Sequence, residues 1–330
     1  RDERRPAAVH SGVSVMVLDR SDVVFIYGAL RSGTTVFRLM LNAHPAMSNP
    51  GEMDFLFDHL APDPAHPTGW RYDLSALRAG RIFKASNLTI PPERDGLDLL
   101  EDFLTQLQDR APGKALSINI HRRVDRMLSV MPHARVIHML RGPRDVARSS
   151  IGMGWVGTLN HGVGHWIETE MAWDSAVTET DADQILQISY EDLFRATEPT
   201  VTSVCAFMGC PYDPAMLRYH ENTTYGPPDP ALTEQWRRKS TARELMDVEF
   251  RAGDLMQRRG YAWAHPQTPP PLARRVALFV VNKARVWRFG IKRYGLVNFL
   301  TEKVARWARL NGLHRTIRQR MDRITIQHLK

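Results

Sequence analysis

Apolar positions along this 330-residue chain change their rhythm several times. Short runs dominated by β-branched, aliphatic and aromatic residues occur at Val23–Tyr27, Ala115–His121, Val136–Leu140 and Gln184–Ser189. Each is too short for a helix and is predominantly apolar, which predicts buried strands, as in a parallel sheet. Between and after them apolar residues recur every three or four positions. Val36, Leu39 and Met40 open one helix, and Leu97, Leu100, Phe103, Leu104 and Leu107 line another across 96–110. Further helices are expected over 122–131, 166–177 and 198–208, and through Leu245, Val248, Phe250 and Leu255 to Arg259. The alternation predicts an α/β fold, a central parallel sheet flanked by helices. Arg81–Lys84 reads as a short strand, Val13–Leu18 as an edge strand, and Asp58–Gly80 as a polar loop able to wall an acceptor pocket.

A stiff proline-rich stretch then ends the pattern. Four parts are expected: an N-terminal arm over 1–22, a main domain over 23–265, a linker over 266–271 and a helical tail over 272–330. In the tail, Val297, Leu300, Val304, Trp307, Leu310, Leu313, Ile317, Met321 and Ile324 form an apolar stripe opposite an Arg/Lys face, with Gly290, Gly295 and Gly312 dividing it into three helices. Charge follows the same division. The chain carries a net +8, but residues 272–330 hold 15 Lys and Arg against Glu302 and Asp322 alone, so the main body is mildly acidic. That tail fits either an anionic membrane surface or a docking site on the body or on a second subunit. Its aromatics follow the apolar stripe, so nucleic acid is not the expected partner.

No apolar run approaches the roughly 20 residues of a membrane span, and Arg1–His10 lacks a hydrophobic signal core. A cytoplasmic, membrane-associated protein is the expectation; since the chain opens on arginine, a removed N-terminal segment stays open. Cys205 and Cys210 form neither a disulfide framework nor a metal set and read as buried thiols.

The chemistry concentrates after the first strand. Gly28-Ala-Leu-Arg31-Ser32-Gly33-Thr34-Thr35 joins that strand to a helix, an arrangement whose orphan N–H groups and positive dipole end cradle a tetrahedral anion. The spacing Gly28-x4-Gly33 matches a nucleotide-binding P-loop, but Thr34 stands where that motif has lysine, and Arg31 brings the positive charge instead. A second strand runs into Arg141-Gly-Pro-Arg-Asp-Val-Ala-Arg-Ser149, and a third piece reads Tyr190-Glu-Asp-Leu. Gly152–Trp166, rich in glycine and tryptophan, suits either a loop closing over a ligand or a contribution to the core.

In these three pieces the chain resembles the sulfotransferases that use 3′-phosphoadenosine 5′-phosphosulfate (PAPS), over about Val23–Tyr261, with local likeness to the bacterial and tyrosylprotein branches. The resemblance implies transfer of a sulfuryl group from PAPS to an acceptor hydroxyl or amine, leaving adenosine 3′,5′-bisphosphate, without a metal. Arg31, Ser32, Gly33, Thr34 and Thr35 would hold the 5′-phosphosulfate, Arg141 and Ser149 the 3′-phosphate, and Tyr190 another part of the nucleotide. It also implies that Glu52, in Pro50-Gly51-Glu52, acts as general base, while other branches place a catalytic histidine where His121 ends its strand. Asp54 and His59 are weaker candidates. A lysine precedes the late tryptophan in the tyrosylprotein branch, and here Gln235 stands before Trp236. The acceptor stays open among lipid, saccharide, peptide and small metabolite. Two other readings compete: a Mg-dependent nucleotide phosphotransferase on a degenerate loop, and a membrane-binding protein whose basic tail is primary.

Overall fold

A computed structural model describes residues 17–328. The strands in chain order are β1 (Val23–Tyr27), β2 (Met47–Ser48), β3 (Leu60–Pro62), β4 (Trp70–Tyr72), β5 (Ala115–Ile120), β6 (Arg135–Leu140) and β7 (Ile185–Ser189). Five of them make one sheet in the order β2-β5-β1-β6-β7, and every pairing is parallel. β1 lies at the centre, in register with β5 from Val23 against Leu116 and with β6 from Val24 against Arg135. All five of its residues are buried, because alternate side chains serve opposite faces. Val23, Phe25 and Tyr27 join the layer containing Leu100, Phe103 and Leu104 of the helix Gly96–Asp109. Val24 and Ile26 join the layer containing Phe37, Met40 and Leu41 of the helix Thr34–Ala43. The connection leaving β1 leads toward β2 and that leaving the adjacent β6 leads the other way to β7, and open parallel sheets bind ligands beyond strand C-termini at such a reversal.

Contacts group the chain into two compact units, one of residues up to Leu140 with Thr169–Pro230, the other of Arg141–Glu168 with residues from Ala231 onward. The tail helices thus share a unit with 141–168 and with the segment preceding the proline-rich stretch, which differs from the division that composition suggests. In the second unit Asn282 Oδ1 accepts the Gly157 N–H at 2.7 Å, Arg285 donates to the Gly157 carbonyl at 2.9 Å, and Arg274 pairs with buried Asp247.

Several local expectations change. Arg81–Lys84 belongs to a helix, Arg81–Ser86, because Phe83 and Ser86 turn inward at a helical step and Asn87 ends it with a left-handed φ of 55°. Asp58–Gly80 is not one loop: β3 and β4 pair antiparallel, and Asp73 then caps the helix Leu74–Ala79 by accepting the Ala76 N–H at 2.9 Å. The glycine-rich segment works as packing. A Cβ on Gly154 would lie inside the Phe289 ring, one on Gly157 against Asn282 and Arg285, and Trp166 is fully buried with its Nε1–H on the Arg141 carbonyl. In the tail, Gly290 sits within Leu272–Tyr294 to admit the Phe299 ring, and Gly312 lies inside Asn311–His328. Gly295, at φ 80°, does break the helix as expected. The edge strand expected over 13–18 lies outside the described residues as far as residue 16; Leu18 is irregular and donates its N–H to Val130 at 2.8 Å.

One glycine at the sheet's centre generates a test. A Cβ on Gly28 would stand 2.4 Å from the backbone oxygen of Met139 in β6, and neither backbone can yield without parting two central strands. Gly28→Ala is expected to cost at least about 1–3 kcal/mol of stability, read as a lower urea midpoint with unchanged slope; a midpoint matching the parent protein would refute the close approach.

Candidate active site

In the first unit the loop after β1 reverses through two left-handed residues, Arg31 at φ 75° and Gly33 at φ 94°. Between them Ser32 donates its N–H to the Ala29 carbonyl at 3.0 Å. Its Oγ is buried and has no hydrogen-bond partner among the described residues. A buried hydroxyl left without a partner is costly, and at the start of a helix it is a ready contact for an anion's oxygen. The helix Thr34–Ala43 begins with no side chain capping it, so the N–H groups of Thr34, Thr35 and Val36 have no intrahelical acceptor. Gly33 is required twice, for its φ and because a Cβ would meet the Tyr190 ring 2.2 Å from Cδ2. Tyr190 is therefore brought onto the loop. Ser189 sets its direction, capping the helix Tyr190–Arg195 through the Asp192 N–H at 2.9 Å.

Glu52 and His121 are also brought together. His121 ends β5 with its side chain 1% exposed, and its Nε2 lies 3.7 Å from Glu52 Oε1, whose side chain is 45% exposed. The other ring nitrogen, Nδ1, is 2.7 Å from the carbonyl oxygen of Gly28, which accepts its proton. Nε2 is buried and makes no hydrogen bond among the described residues. Burial alone would lower the imidazole pKa, but Glu52, Asp54 and the Gly28 carbonyl outweigh it, and the net shift is upward. The Glu52 carboxyl is lowered, first by His121, against its own burial, with Arg38 and Arg81 helping. Both shifts favour the carboxylate–imidazolium form of the pair.

A buried amide network that sequence reasoning missed holds Glu52 there. Asn49 Nδ2 donates to Ser117 Oγ at 3.0 Å and to Asn119 Oδ1 at 2.9 Å, and Asn49 Oδ1 accepts the Gly51 N–H at 2.8 Å. Asn119 Nδ2 reaches the Thr34 carbonyl at 3.3 Å, while its backbone bridges Glu52 as a short parallel extension of the sheet. The signal was present as two polar residues, Ser117 and Asn119, alternating within an apolar strand. Asp54, a weaker candidate base, is occupied: its Oδ1 accepts the N–H groups of His121 at 2.7 Å and Arg122 at 3.0 Å. His59 ends the short helix Phe55–Asp58 and takes no part in the pair, and Lys84 is exposed on its helix.

In the second unit Arg141 and Ser149 line one cavity of about 210 Å³ with Asp145, Arg148, Gln235 and Lys239. Pro143 starts the helix Pro143–Gly152, whose Arg148 and Ser149 line this cavity together with Arg141 from the segment just before the helix. Asp145 anchors the neighbouring segment by accepting the Trp236 N–H at 3.0 Å, and burial raises its carboxyl despite Arg141 and that N–H. Arg144 is structural: its Nε donates to buried Glu249 at 2.7 Å and its guanidinium stacks over Trp236. Arg148 and Lys239 were not singled out for this role from the sequence. Lys239 lies one helical turn beyond Gln235, on the short helix Trp236–Lys239, so the basic group sits after the tryptophan instead of before it. Arg237 pairs with Glu234 at 3.0 Å and Arg238 bonds the Ala231 carbonyl at 2.7 Å.

Comparison with known proteins gives a concordant result. A family model described as the sulfotransferase family matches residues 23–214. No curated protein sequence matches the chain. Among solved structures, the sulfotransferase domain of the Synechococcus PCC 7002 olefin synthase aligns with a TM-score of 0.55 at 22% identity, covering 73% of this chain and 94% of that one. The sulfotransferase domain from the curacin biosynthetic pathway aligns with a TM-score of 0.50 at 16% identity, covering 72% and 97%. At these identities the two structures establish the fold. The family match runs from the first residue of β1 past β7 and takes in the 28–35 loop, the Glu52–His121 pair, Arg141, Ser149 and Tyr190, and on that extent the chain belongs to the sulfotransferase family.

Proposed function

We propose that the protein transfers the sulfuryl group of PAPS to an acceptor hydroxyl or amine, with Glu52 as general base. The observation that carries this reading is the hydrogen bond from His121 to Gly28, which fastens the carboxylate–imidazolium pair to the first residue of the anion-binding loop. Arg31, Ser32, Gly33, Thr34 and Thr35 are assigned to the 5′-phosphosulfate. Ser32 Oγ and the free first-turn N–H groups supply neutral donors, and Arg31 supplies charge. Arg141 and Ser149 are assigned to the 3′-phosphate, with Arg148 and Lys239 in the same cavity, and Tyr190 to a nucleotide contact beside the loop.

The roles follow from protonation. Ionised and half exposed, Glu52 can take a proton from an entering hydroxyl or ammonium group. The upward shift of His121 favours its protonated form and so favours Glu52 as base; His121 is assigned as a positioning residue whose Nε2 faces Glu52. As the acceptor's oxygen or nitrogen bonds to sulfur, the bond from sulfur to the phosphate oxygen breaks, and adenosine 3′,5′-bisphosphate leaves with that electron pair. Donors fixed before the reaction stabilise the sulfonate and leaving phosphate without reorganising. Thr34, in place of a P-loop lysine, argues against phosphoryl transfer.

Arg31→Ala and Arg141→Ala are each expected to weaken adenosine 3′,5′-bisphosphate binding about tenfold or more, the loss of one charge-assisted contact. Calorimetry showing unchanged affinity in both folded variants would remove the nucleotide assignment.

Glu52→Gln is expected to leave that affinity intact and lower turnover by roughly 10²–10⁴. Turnover that survives Glu52→Gln and collapses in His121→Asn would make the histidine the base.

The pH dependence has a determined sign. Glu52's lowered pKa keeps its carboxylate until pH falls below the ordinary carboxyl range, and His121's raised pKa keeps its proton until pH rises above the ordinary imidazole value. Activity is expected to fall on the acid side only below the ordinary carboxyl range and on the alkaline side only above the ordinary imidazole value, as a pH–rate profile would show. In Glu52→Gln, burial is no longer offset by that carboxylate, and the NMR titration midpoint of His121 is expected to move down. An unmoved or higher midpoint would contradict the pairing.

A further inference from the structure

The helices Leu272–Tyr294 and Leu296–Trp307 each have two unlike faces. On the first, Leu278, Asn282, Arg285 and Phe289 follow the three- and four-residue step that faces inward, against Gly154 and Gly157 of the same unit. On the opposite side Leu272, Val276, Phe279, Val280 and Trp287 follow the same step and are exposed, Leu272 by 72%. The second helix repeats the arrangement. Phe299, Glu302 and Ala305 are buried, while Leu296, Val297, Leu300, Val304 and Trp307 fall together on the other side, Val297 77% and Trp307 87% exposed. Scattered exposed apolar residues are ordinary; ten large ones confined to the outward faces of two consecutive helices are a patch.

We propose that these two outward faces form a docking surface that lies in the headgroup region of an anionic lipid bilayer. The partner is chosen by charge. Lys283 and Lys303 fall on the same helical sides as the exposed apolar positions, Arg275 borders them, and the basic excess continues through Arg288, Lys292, Arg306, Arg309, Arg315, Arg318 and Arg320. Glu302 presents no opposing charge outward, being buried with its carboxylate 2.9 Å from Lys303 Nζ. A second copy seated on the same face would set cation against cation. Nucleic acid would answer the arginines but leave Val297, Phe279 and Trp307 in water. An anionic bilayer answers both, taking the apolar side chains below the headgroups and the lysine and arginine ends at the phosphates. Among the described residues no helix is long and apolar enough to cross a membrane, and the mode proposed is interfacial.

The test uses the intact protein in flotation with vesicles of phosphatidylcholine alone and of phosphatidylcholine with phosphatidylglycerol, beside the double variant Phe279→Glu, Trp307→Glu. Both positions are exposed, and a thermal melt matching the parent protein checks the fold. Flotation with the anionic vesicles only, weakened by salt and at least about tenfold weaker in the double variant, supports the surface. An intact protein that fails to float with anionic vesicles at moderate salt overturns it, as does flotation unchanged by the double variant. A concentration-dependent dimer in light scattering that the double variant dissolves, without vesicle binding, also overturns it and assigns the face to self-association. None of these readouts depends on catalytic activity.

Discussion

The carbonyl oxygen of Gly28 is the point on which the site's order depends. It ends the central strand, so its position is fixed by pairings on both sides of β1, and it accepts the Nδ1–H of His121 from the end of β5. The same residue has no side chain because the Met139 oxygen of β6 occupies the space a Cβ would need. Close strand packing and the imidazole's orientation therefore rest on one backbone unit. With Nδ1 committed as a donor, Nε2 faces Glu52 across 3.7 Å.

Glu52 is held by a different principle. It lies on a segment with only a two-residue strand, β2, to define it, and β2 sits at the sheet's edge. Backbone pairing over so short a length is weak, and the buried amides of Asn49 and Asn119 supply what pairing does not, linking Gly51, β5 and the first residue of the loop helix. Each of these amides is buried, so losing one partner leaves others unsatisfied, and the network holds together or fails together. The Glu52 carboxylate can thus remain half exposed while its backbone is fixed by groups that never meet solvent.

The sheet was legible in the sequence because parallel strands covered on both faces leave continuous apolar runs, and β1, β5, β6 and β7 were found close to their observed ends. The strand–loop–helix turn from Gly28 to Thr35 was legible because two glycines at fixed spacing carry a backbone requirement. Less of the rest could be read. Arg81–Ser86 contains an apolar pair at one step, too short to separate strand from helix without the packing of Phe83. The pairing of Glu52 with His121 joins residues 69 positions apart and depends on register, which no local pattern encodes. Lys239 was hidden for a related reason, since its approach to the Arg141 cavity follows from where Trp236 is anchored by Asp145. Gly154 and Gly157 carried an ambiguous signal: glycine permits motion and equally permits close packing, and Phe289, Asn282 and Arg285 decide for packing.

The tail shows the limit of amphipathic reasoning in another way. A sequence stripe reports that one side of a helix avoids water, and it treats a protein core and a membrane alike. Here the apolar positions exceed what one face can hold, and packing divides them. Leu278, Phe289, Phe299 and Ala305 go inward, while the larger share, ending in Trp307, is left outward. Docking therefore accounts for only part of the stripe. A helix selected only to pack would need no Val297 or Trp307, and one selected only for charge would carry its arginines without them. The two requirements meet on the outward faces, where Lys283 and Lys303 stand among apolar side chains that packing within the unit leaves unused.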